Sequence, residues 1–483
     1  MRTAYTADQI RGAEHALMAR LPEGTLMQRA AAGLAAHCAG LLGRVYGKRV
    51  VLLVGSGDNG GDALYAGERL ARRGAWVGAV LAGSKTHEAG LRALRDAGGR
   101  VVDRPAIDGA DLIMDGLVGI GASGALREPY AELAERANAA RGAIVAVDVP
   151  SGVDASTGQV HGAAVRAKVT VTMGAYKTGL LVDPGASHTG VVELVDIGLG
   201  AYLPDPDVAA LTRGDVEDLL PRPGKESDKY RRGVLGVAAG SDRFTGAAVL
   251  AVGGALRAGA GMVRYAGPHE PIAQVRAHWP EAVVTTLERP SIDDVGRVQA
   301  WVLGPGLGTG DWAHELAAKV LGSNVPVLID ADALTLVAND RGLLRRAAPV
   351  LITPHAGELA RLLRADRDDI EAARLEHVRR AAAELGVTVL LKGSTTVVAE
   401  DSRPVRVNRT GTPYLATGGT GDVLSGVAGA LLAQGLSCYD AASCGAYVHG
   451  LAGRLAADGA PLTAAEVATA VPAAIRAVTR VDG

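Results

Sequence analysis

Aromatic side chains are almost missing from this 483-residue chain: Phe, Trp and Tyr make up 3% of it, and Phe244 is its one phenylalanine. That argues against the stacking platforms on which single-stranded nucleic acids are held. An excess of one charge is missing too. The chain carries 50 Lys and Arg against 52 Asp and Glu, a formal net charge of −2, so no nucleic-acid or membrane partner is expected. Cysteine is sparse: Cys38, Cys438 and Cys444 form no CxxC pair. A disulfide framework is therefore not expected, and the set fits a reducing compartment. No stretch reaches the roughly 18 uninterrupted apolar residues of a membrane span. The N-terminal "MRTAYTADQIRGAEHALMARL" has no apolar signal core, and the expected location is the cytoplasm.

What is present is glycine, 65 of them, set where short apolar runs end. At roughly 100–200 residues per domain the length predicts two to four domains. Residues 5–43 have helical apolar spacing. "KRVVLLVGSGDNGGDALYAGERLARRG" then reads as a buried strand (Val50–Val54), a glycine loop (Gly55–Gly61) and a helix (Ala63–Arg73). "WVGAVLAG", "ADLIMDGLVG" and "GAIVAVDVPSG" continue the alternation. Around Leu203–Pro223 it lapses into prolines and charges, so residues 206–222 are expected to be a linker. A second series follows: "GVLGVAAG", "AWVLGPGLG", "VPVLIDADAL", "PVLITPHAGE" and "TVLLKGSTTVVA". Buried strands alternating with helices predict two α/β/α domains with parallel sheets, residues 1–205 and 223–483. In such sheets ligands bind beyond the carboxyl ends of the strands, where most of these polar loops lie.

In the first half, "GSGDNGGDA" suits a phosphate cradle at a helix start. Its glycine spacing matches neither the dinucleotide fingerprint nor the P-loop, and a plain capped turn is the competing reading. Asn59, Asp115 and Ser151 put oxygen donors on adjacent strand ends. Together they suit a cation held by oxygen, and one carboxylate among neutral donors favours K⁺ over Mg²⁺. Asp115 and Ser151 taken singly would be ordinary helix caps. Asp148 and Lys177, from "VDVPSGVD" and "GAYKTGL", are acid/base candidates.

These motifs together with "DGLVGIGASG" resemble the NAD(P)H-hydrate epimerase domain over most of residues 1–205. The resemblance implies a Rossmann-like sheet and a bound K⁺ at Asn59, Asp115 and Ser151. It also implies substrate contacts from Asp58, Asn59, Gly60, Gly61, Asp62, from Gly119, Ile120, Gly121, Ala122, Ser123, Gly124, Ala125, and from Asp148. Asp58 stands where that family more often has asparagine, and Ala63 where it has glycine.

In the second half, "ATGGTGD" gathers three glycines and Asp422 at the start of an apolar run. A helix N-terminus attracts anions through its free N–H groups and its dipole. A carboxylate there opposes a phosphate, unless it serves a hydroxyl that must meet the phosphate. His355 alone would be an ordinary surface or capping histidine, and Lys392 alone a solvated lysine. "GSDRFTGAA", "GPGLG", "DADAL", "TPHAGE", "KGSTT" and "ATGGTGD" together resemble the ADP-dependent NAD(P)H-hydrate dehydratases of the ribokinase-like superfamily, over about residues 215–483. The resemblance implies substrate contacts from Ala248, Gly306, His355 and Asp422. It implies adenine-nucleotide contacts from Lys392, Gly393, Ser394, Thr395, Thr396 and Gly421, with Asp422 as the base.

The order of the halves is that of the bifunctional repair enzymes. Expected, then, are epimerisation of (6R)- and (6S)-NAD(P)HX by the first half and ADP-dependent dehydration of the 6S form by the second. Mg²⁺ is expected with ADP, and a homo-oligomer in solution. The alternative is a small-alcohol kinase, of a vitamin precursor for example, fused to a non-catalytic nucleotide-binding scaffold. The product separates them, because absorbance of the reduced ring returns only in the repair reaction.

Overall fold

The computed structural model describes residues 1–479. Its chain forms two compact units, Arg2–Val208 and one beginning at Ala209.

The first unit contains strands β1 (Arg2–Tyr5), β2 (Arg49–Val54), β3 (Trp76–Leu81), β4 (Arg100–Val101), β5 (Leu112–Gly116), β6 (Ala143–Val147), β7 (Val169–Met173), β8 (Tyr176–Lys177) and β9 (Val191–Val195). Seven of them make a sheet in the order β4-β3-β2-β5-β6-β7-β9, parallel at each pairing. Alternation explains why β2 reads as an unbroken apolar run. Val50, Leu52 and Val54 pack on one face with the helix Thr25–Leu42 and the helix Asp58–Arg72. Val51 and Leu53 pack on the other with Leu133, Ala134 and Ala137 of the helix Tyr130–Ala139. A sheet covered on both faces has no polar side to show. β1 pairs with β8 in parallel, setting Tyr5 beside Lys177.

The expected helix Ala63–Arg73 begins five residues earlier, at Asp58. Its two glycines, Gly60 and Gly61, are buried within the first turns. Asn59 to Asp62 therefore stand on a helix start, not in a loop.

The expected linker, residues 206–222, is structured instead. It holds the short strand β10 (Val208–Ala210) at the boundary and a helix, Arg213–Leu219. Thr212 and Asp215 form a capping box at that helix's start. Val216 and Leu220 are buried in the core of the second unit. The prolines that suggest a linker lie outside the helix, at 204, 206, 221 and 223, so they bound it and do not break it.

In the second unit the strands are β11 (Val234–Ala238), β12 (Met262–Gly267), β13 (Val283–Thr286), β14 (Ala300–Leu303), β15 (Val327–Ile329), β16 (Val350–Ile352), β17 (Thr388–Leu391), β18 (Thr396–Ala399) and β19 (Val405–Asn408). They follow the order β13-β12-β11-β14-β15-β16-β17-β18-β19. From β13 to β17 the pairings are parallel. β17, β18 and β19 are antiparallel, so "KGSTT" is the turn of a hairpin and not a strand-to-helix crossover. The helices Thr245–Arg257, Thr420–Ala433 and Cys438–Ala457 share one core with β11. The three cysteines are buried and free. Among the described residues no helix is long and apolar enough to cross a membrane.

Candidate functional site

In the first unit three strand ends converge on Val118, just past β5. Asn59 Nδ2 donates to the carbonyls of Val118 (2.9 Å) and Val147 (2.7 Å). The N–H of Val118 donates to Ser151 Oγ at 3.1 Å. Ser151 Oγ in turn donates to Asp115 Oδ1 at 2.7 Å, and its N–H to Oδ2 at 2.8 Å. Asn59, Asp115 and Ser151 are thus brought together and buried. Burial pushes the Asp115 carboxyl up to about 6, against the Ser151 bonds that favour its charge. One carboxylate with amide, hydroxyl and carbonyl oxygens around it fits a monovalent cation better than a divalent one.

Asp148 and Lys177 form a buried ion pair. Asp148 has a left-handed backbone, φ 68°, which side-chain-bearing residues adopt at a cost and which recurs at functional sites. Its Oδ1 also accepts from the Met173 N–H at 3.0 Å and Thr172 Oγ1 at 3.1 Å. Lys177 Nζ also donates to the Met173 carbonyl at 2.8 Å.

Asp62 faces the same field. Burial, then Asp148, Asp58 and Glu14, hold its carboxyl well above the ordinary range, with Lys177 opposing. Its Oδ1 is sealed from solvent without a hydrogen-bond partner. Burial also raises Glu14, against Lys177. Sequence reasoning missed Glu14, which sits on the helix Ala7–Met18 without any motif around it. Asp58 is exposed, as are Gly121, Ser123, Gly124 and Ala125, while Gly119, Ile120 and Ala122 are partly covered.

In the second unit the helix Thr420–Ala433 starts at Gly419, φ 89°, with no side chain capping it. The N–H groups of its first turn consequently have no partner within the helix. Asp422 lies in that turn. Burial first, then Asp330 and Asp332, raise its carboxyl to about 7, with Lys392 opposing. Gly421 stands beside both groups: a Cβ there would make ordinary contacts, 3.5 Å from Lys392 Nζ and 4.0 Å from Asp330 Oδ2. Lys392, expected at the nucleotide, is bonded to Asp330 Oδ1 at 2.8 Å and lies 3.8 Å from Glu358 Oε2. Burial disfavours its charge, but Asp330 and Glu358 outweigh burial and its pKa is raised.

The hairpin turn that carries Lys392 is fixed from beneath by Arg374. Its Nη2 donates to the carbonyls of Lys392 (2.8 Å), Thr395 (3.2 Å) and Leu391 (3.4 Å). Gly393 and Ser394 are exposed, Thr396 partly so and Thr395 buried. His355 caps the helix Ala356–Leu363: its Nδ1 accepts from the N–H groups of Gly357 (3.0 Å) and Glu358 (3.3 Å). The side chain is nonetheless 56% exposed, and burial outweighs Glu358 to lower its pKa. The cap uses Nδ1, and Nε2 lies 3.5 Å from Glu358 Oε1.

Gly306, φ 62°, is held by Ser241 Oγ, which donates to its carbonyl at 2.8 Å. Ala248, expected to touch substrate, is fully buried. The neighbouring Ala247 is the partly open residue, and its Cβ would meet one placed on Gly306 at 2.8 Å. One step along a helix turns a side chain by about 100°, which separates the two. Asp330, Ser425 and Arg374 escaped sequence reasoning. Asp330 stands in the quoted "DADAL", where spacing alone does not tell which aspartate faces the site.

Residues 235–473 match the family model described as NAD(P)H-hydrate dehydratase. Residues 23–179 match the YjeF-related protein N-terminus. The chain is 47% identical to the bifunctional NAD(P)H-hydrate repair enzyme of Mycobacterium tuberculosis, over 92% of each chain. It is 46% identical to that of Mycobacterium leprae, over 95% of this chain and 96% of the relative. Among solved structures, it is similar to the ADP/ATP-dependent NAD(P)H-hydrate dehydratase of Bacillus subtilis co-crystallised with ATP/Mg²⁺. That match has TM-score 0.51 and 29% identity, covering 56% of this chain and 99% of the other. A ribokinase-like superfamily protein from Enterococcus faecalis matches with TM-score 0.53 and 25% identity, over 57% of this chain and 98% of the other.

Proposed function

The chain belongs to the family of bifunctional NAD(P)H-hydrate repair enzymes, and from that premise we propose how its residues divide the work. The enzyme epimerises hydrated NADH and NADPH and dehydrates one epimer with ADP. We assign the epimerase to residues 1–208 and the dehydratase to the unit that follows, with the 6S epimer as its substrate.

In the dehydratase, Asp422 takes the proton of the C6 hydroxyl as that oxygen attacks the β-phosphorus of ADP. AMP leaves. The ring-nitrogen lone pair then expels phosphate from C6, and loss of a C5 proton restores the dihydropyridine. The products are NAD(P)H, AMP and phosphate. The observation that carries this is the placement of Asp422 in the first turn of an uncapped helix. The N–H groups there receive phosphoryl charge, and a carboxyl at about 7 is matched to work as a base near neutral pH. Mg²⁺ accompanies the nucleotide. Arg374 shapes the turn Lys392–Thr396 against which ADP lies, Gly421 lets the nucleotide approach, and Gly306, His355 and the surface at Ala247–Ala248 receive the nicotinamide side.

In the epimerase, K⁺ at Asn59, Asp115 and Ser151 would supply fixed positive charge for the substrate's phosphates. The helix start Asp58–Asp62 and the loop Gly119–Ala125 bind the rest. Asp148, oriented by Lys177, and Asp62, whose carboxyl burial holds well above the ordinary range, handle protons as the hydroxyl leaves C6 and returns on the other face.

The test is to supply an epimeric mixture of hydrated NADH with ADP and K⁺ and to follow absorbance of the reduced ring. Full recovery of absorbance with one AMP per NADH is expected. A stable phosphoester without recovered absorbance would instead establish the small-alcohol kinase.

A further inference from the structure

Asp330 makes no contact that the reaction just described requires, yet both oxygens of its carboxylate are bonded. It follows β15 and is buried. Lys392 Nζ donates to its Oδ1 at 2.8 Å, and Ser425 Oγ to its Oδ2 at 2.6 Å. Ser425 stands one helical turn beyond Asp422 on the same helix. The carboxylate therefore ties the hairpin turn to the helix that carries the base. Its neighbours are arranged to keep it there. Ala331 has φ 50°, a left-handed backbone that a methyl-bearing residue adopts at a cost. Asp332 accepts from the Gly308 N–H at 2.9 Å and so anchors the glycine loop after β14.

We propose that Asp330 is a positioning residue for the dehydration step, a fixed negative charge that keeps Asp422 basic while holding Lys392 over Gly421. The proposal rests on Asp422 being the base, as assigned above. The charges around Asp422 come from every element packed near it. Asp330 and Asp332 lie at the end of β15 and Lys392 in the hairpin turn; Glu358 and His355, at the start of the helix Ala356–Leu363, and His449, on the helix Cys438–Ala457, face Lys392. Lys392 is the cation among them, and it is already shared by Asp330 and Glu358. Its attraction for Asp422 is thereby diluted, and the like charge of Asp330 prevails. Asp330 and burial act in the same direction on Asp422.

A structural anchor would lower activity when lost but would not move the pH at which the base titrates. Asp330→Asn keeps the shape and one acceptor oxygen and removes the charge. The acid limb of the dehydration pH–rate profile should then shift to lower pH by about one unit or more, and the plateau rate should fall about tenfold, since a weaker base accepts the proton less readily. Lys392→Met removes the cation and leaves Asp330, so its limb should shift to higher pH. Ser425→Ala keeps both charges, and its limb should stay in place. An acid limb unmoved in Asp330→Asn, or in Lys392→Met should the first variant not fold, overturns the proposal even if the rate falls. Asp422→Asn, run in parallel, tests the assignment of the base on its own: it should abolish the limb, whereas Asp330→Asn should only displace it.

Discussion

At the scale of the residue, the carboxyl groups of this protein are sorted by burial and by the charges beside them. Asp422 at about 7 should leave an acid limb near that pH, with dehydration slowing as the base takes up a proton below it. Asp422→Asn should cut dehydration by about 10²–10⁴-fold, the usual range for a lost general base. ADP affinity should be unchanged or higher, because a negative charge beside the phosphates is gone. Calorimetry with ADP and single-turnover absorbance separate the two effects, and a variant that kept most of its rate would transfer the proton to His355. His449 gives a stability prediction of its own. Burial holds it down at about 4, with the Thr420 backbone opposing. The unfolded chain then binds its proton first, so stability should be lost as pH falls from about 6.5 toward 4. Between pH 6.5 and 5 this one group contributes about 2 kcal/mol. The raised carboxyls act in the opposite sense, so the comparison is with His449→Gln, whose unfolding midpoint in urea should fall less over that interval.

At the scale of the element, function sits where strands end and helices begin. The caps make the contrast. Thr6 and Thr212 close their helices with side-chain bonds. The helices at Asp58 and Thr420 begin at glycines with no such bond, leaving their N–H groups for a ligand. Asn59 holds the ends of β5 and β6 together through two carbonyls, which is why the oxygen donors of three elements meet. Asp115→Ala should therefore lower epimerisation and remove its response to K⁺, while dehydration of the accepted epimer persists. Exchange of K⁺ for tetramethylammonium should do the same to the unaltered enzyme. Equal loss of both activities in the folded variant would remove the cation from the epimerase.

At the scale of the molecule, two units carry two consecutive reactions on one metabolite. A solved dehydratase of Bacillus subtilis spans 99% of its own length on 56% of this chain, so the second activity is known on a chain of its own. The reactions should accordingly communicate through free substrate. Full-length Asp115→Ala should restore absorbance from one epimer and then slow to the spontaneous rate of interconversion. Full-length Asp422→Asn should restore none. Mixed, the two variants should consume both epimers. Failure of the mixture, with each variant retaining its remaining activity, would require transfer within one chain.

The sequence by itself determined the two α/β series, because a strand buried on both faces is an apolar run whatever surrounds it, and a glycine loop at its end is visible as spacing. It also showed "GGTGD" and "KGSTT", since each is a local cluster of chemistry-bearing residues, and it set Asn59, Asp115 and Ser151 each near the end of a separate apolar run. Local pattern misplaced the start of the helix at Asp58, because glycines that read as loop are tolerated where a close approach demands them. It misread residues 206–222, where two prolines on either side enclose a capped helix whose apolar face finds a core. Only the tertiary structure decided which side chains share a charge. Asp330 and Lys392 are 62 positions apart, and Arg374 reaches the same turn from another helix. Ala247 and Ala248 are neighbours that folding turns to opposite environments. Burial and distance set the basicity of Asp422, and both arise from packing between segments remote in the chain, which no local spacing encodes.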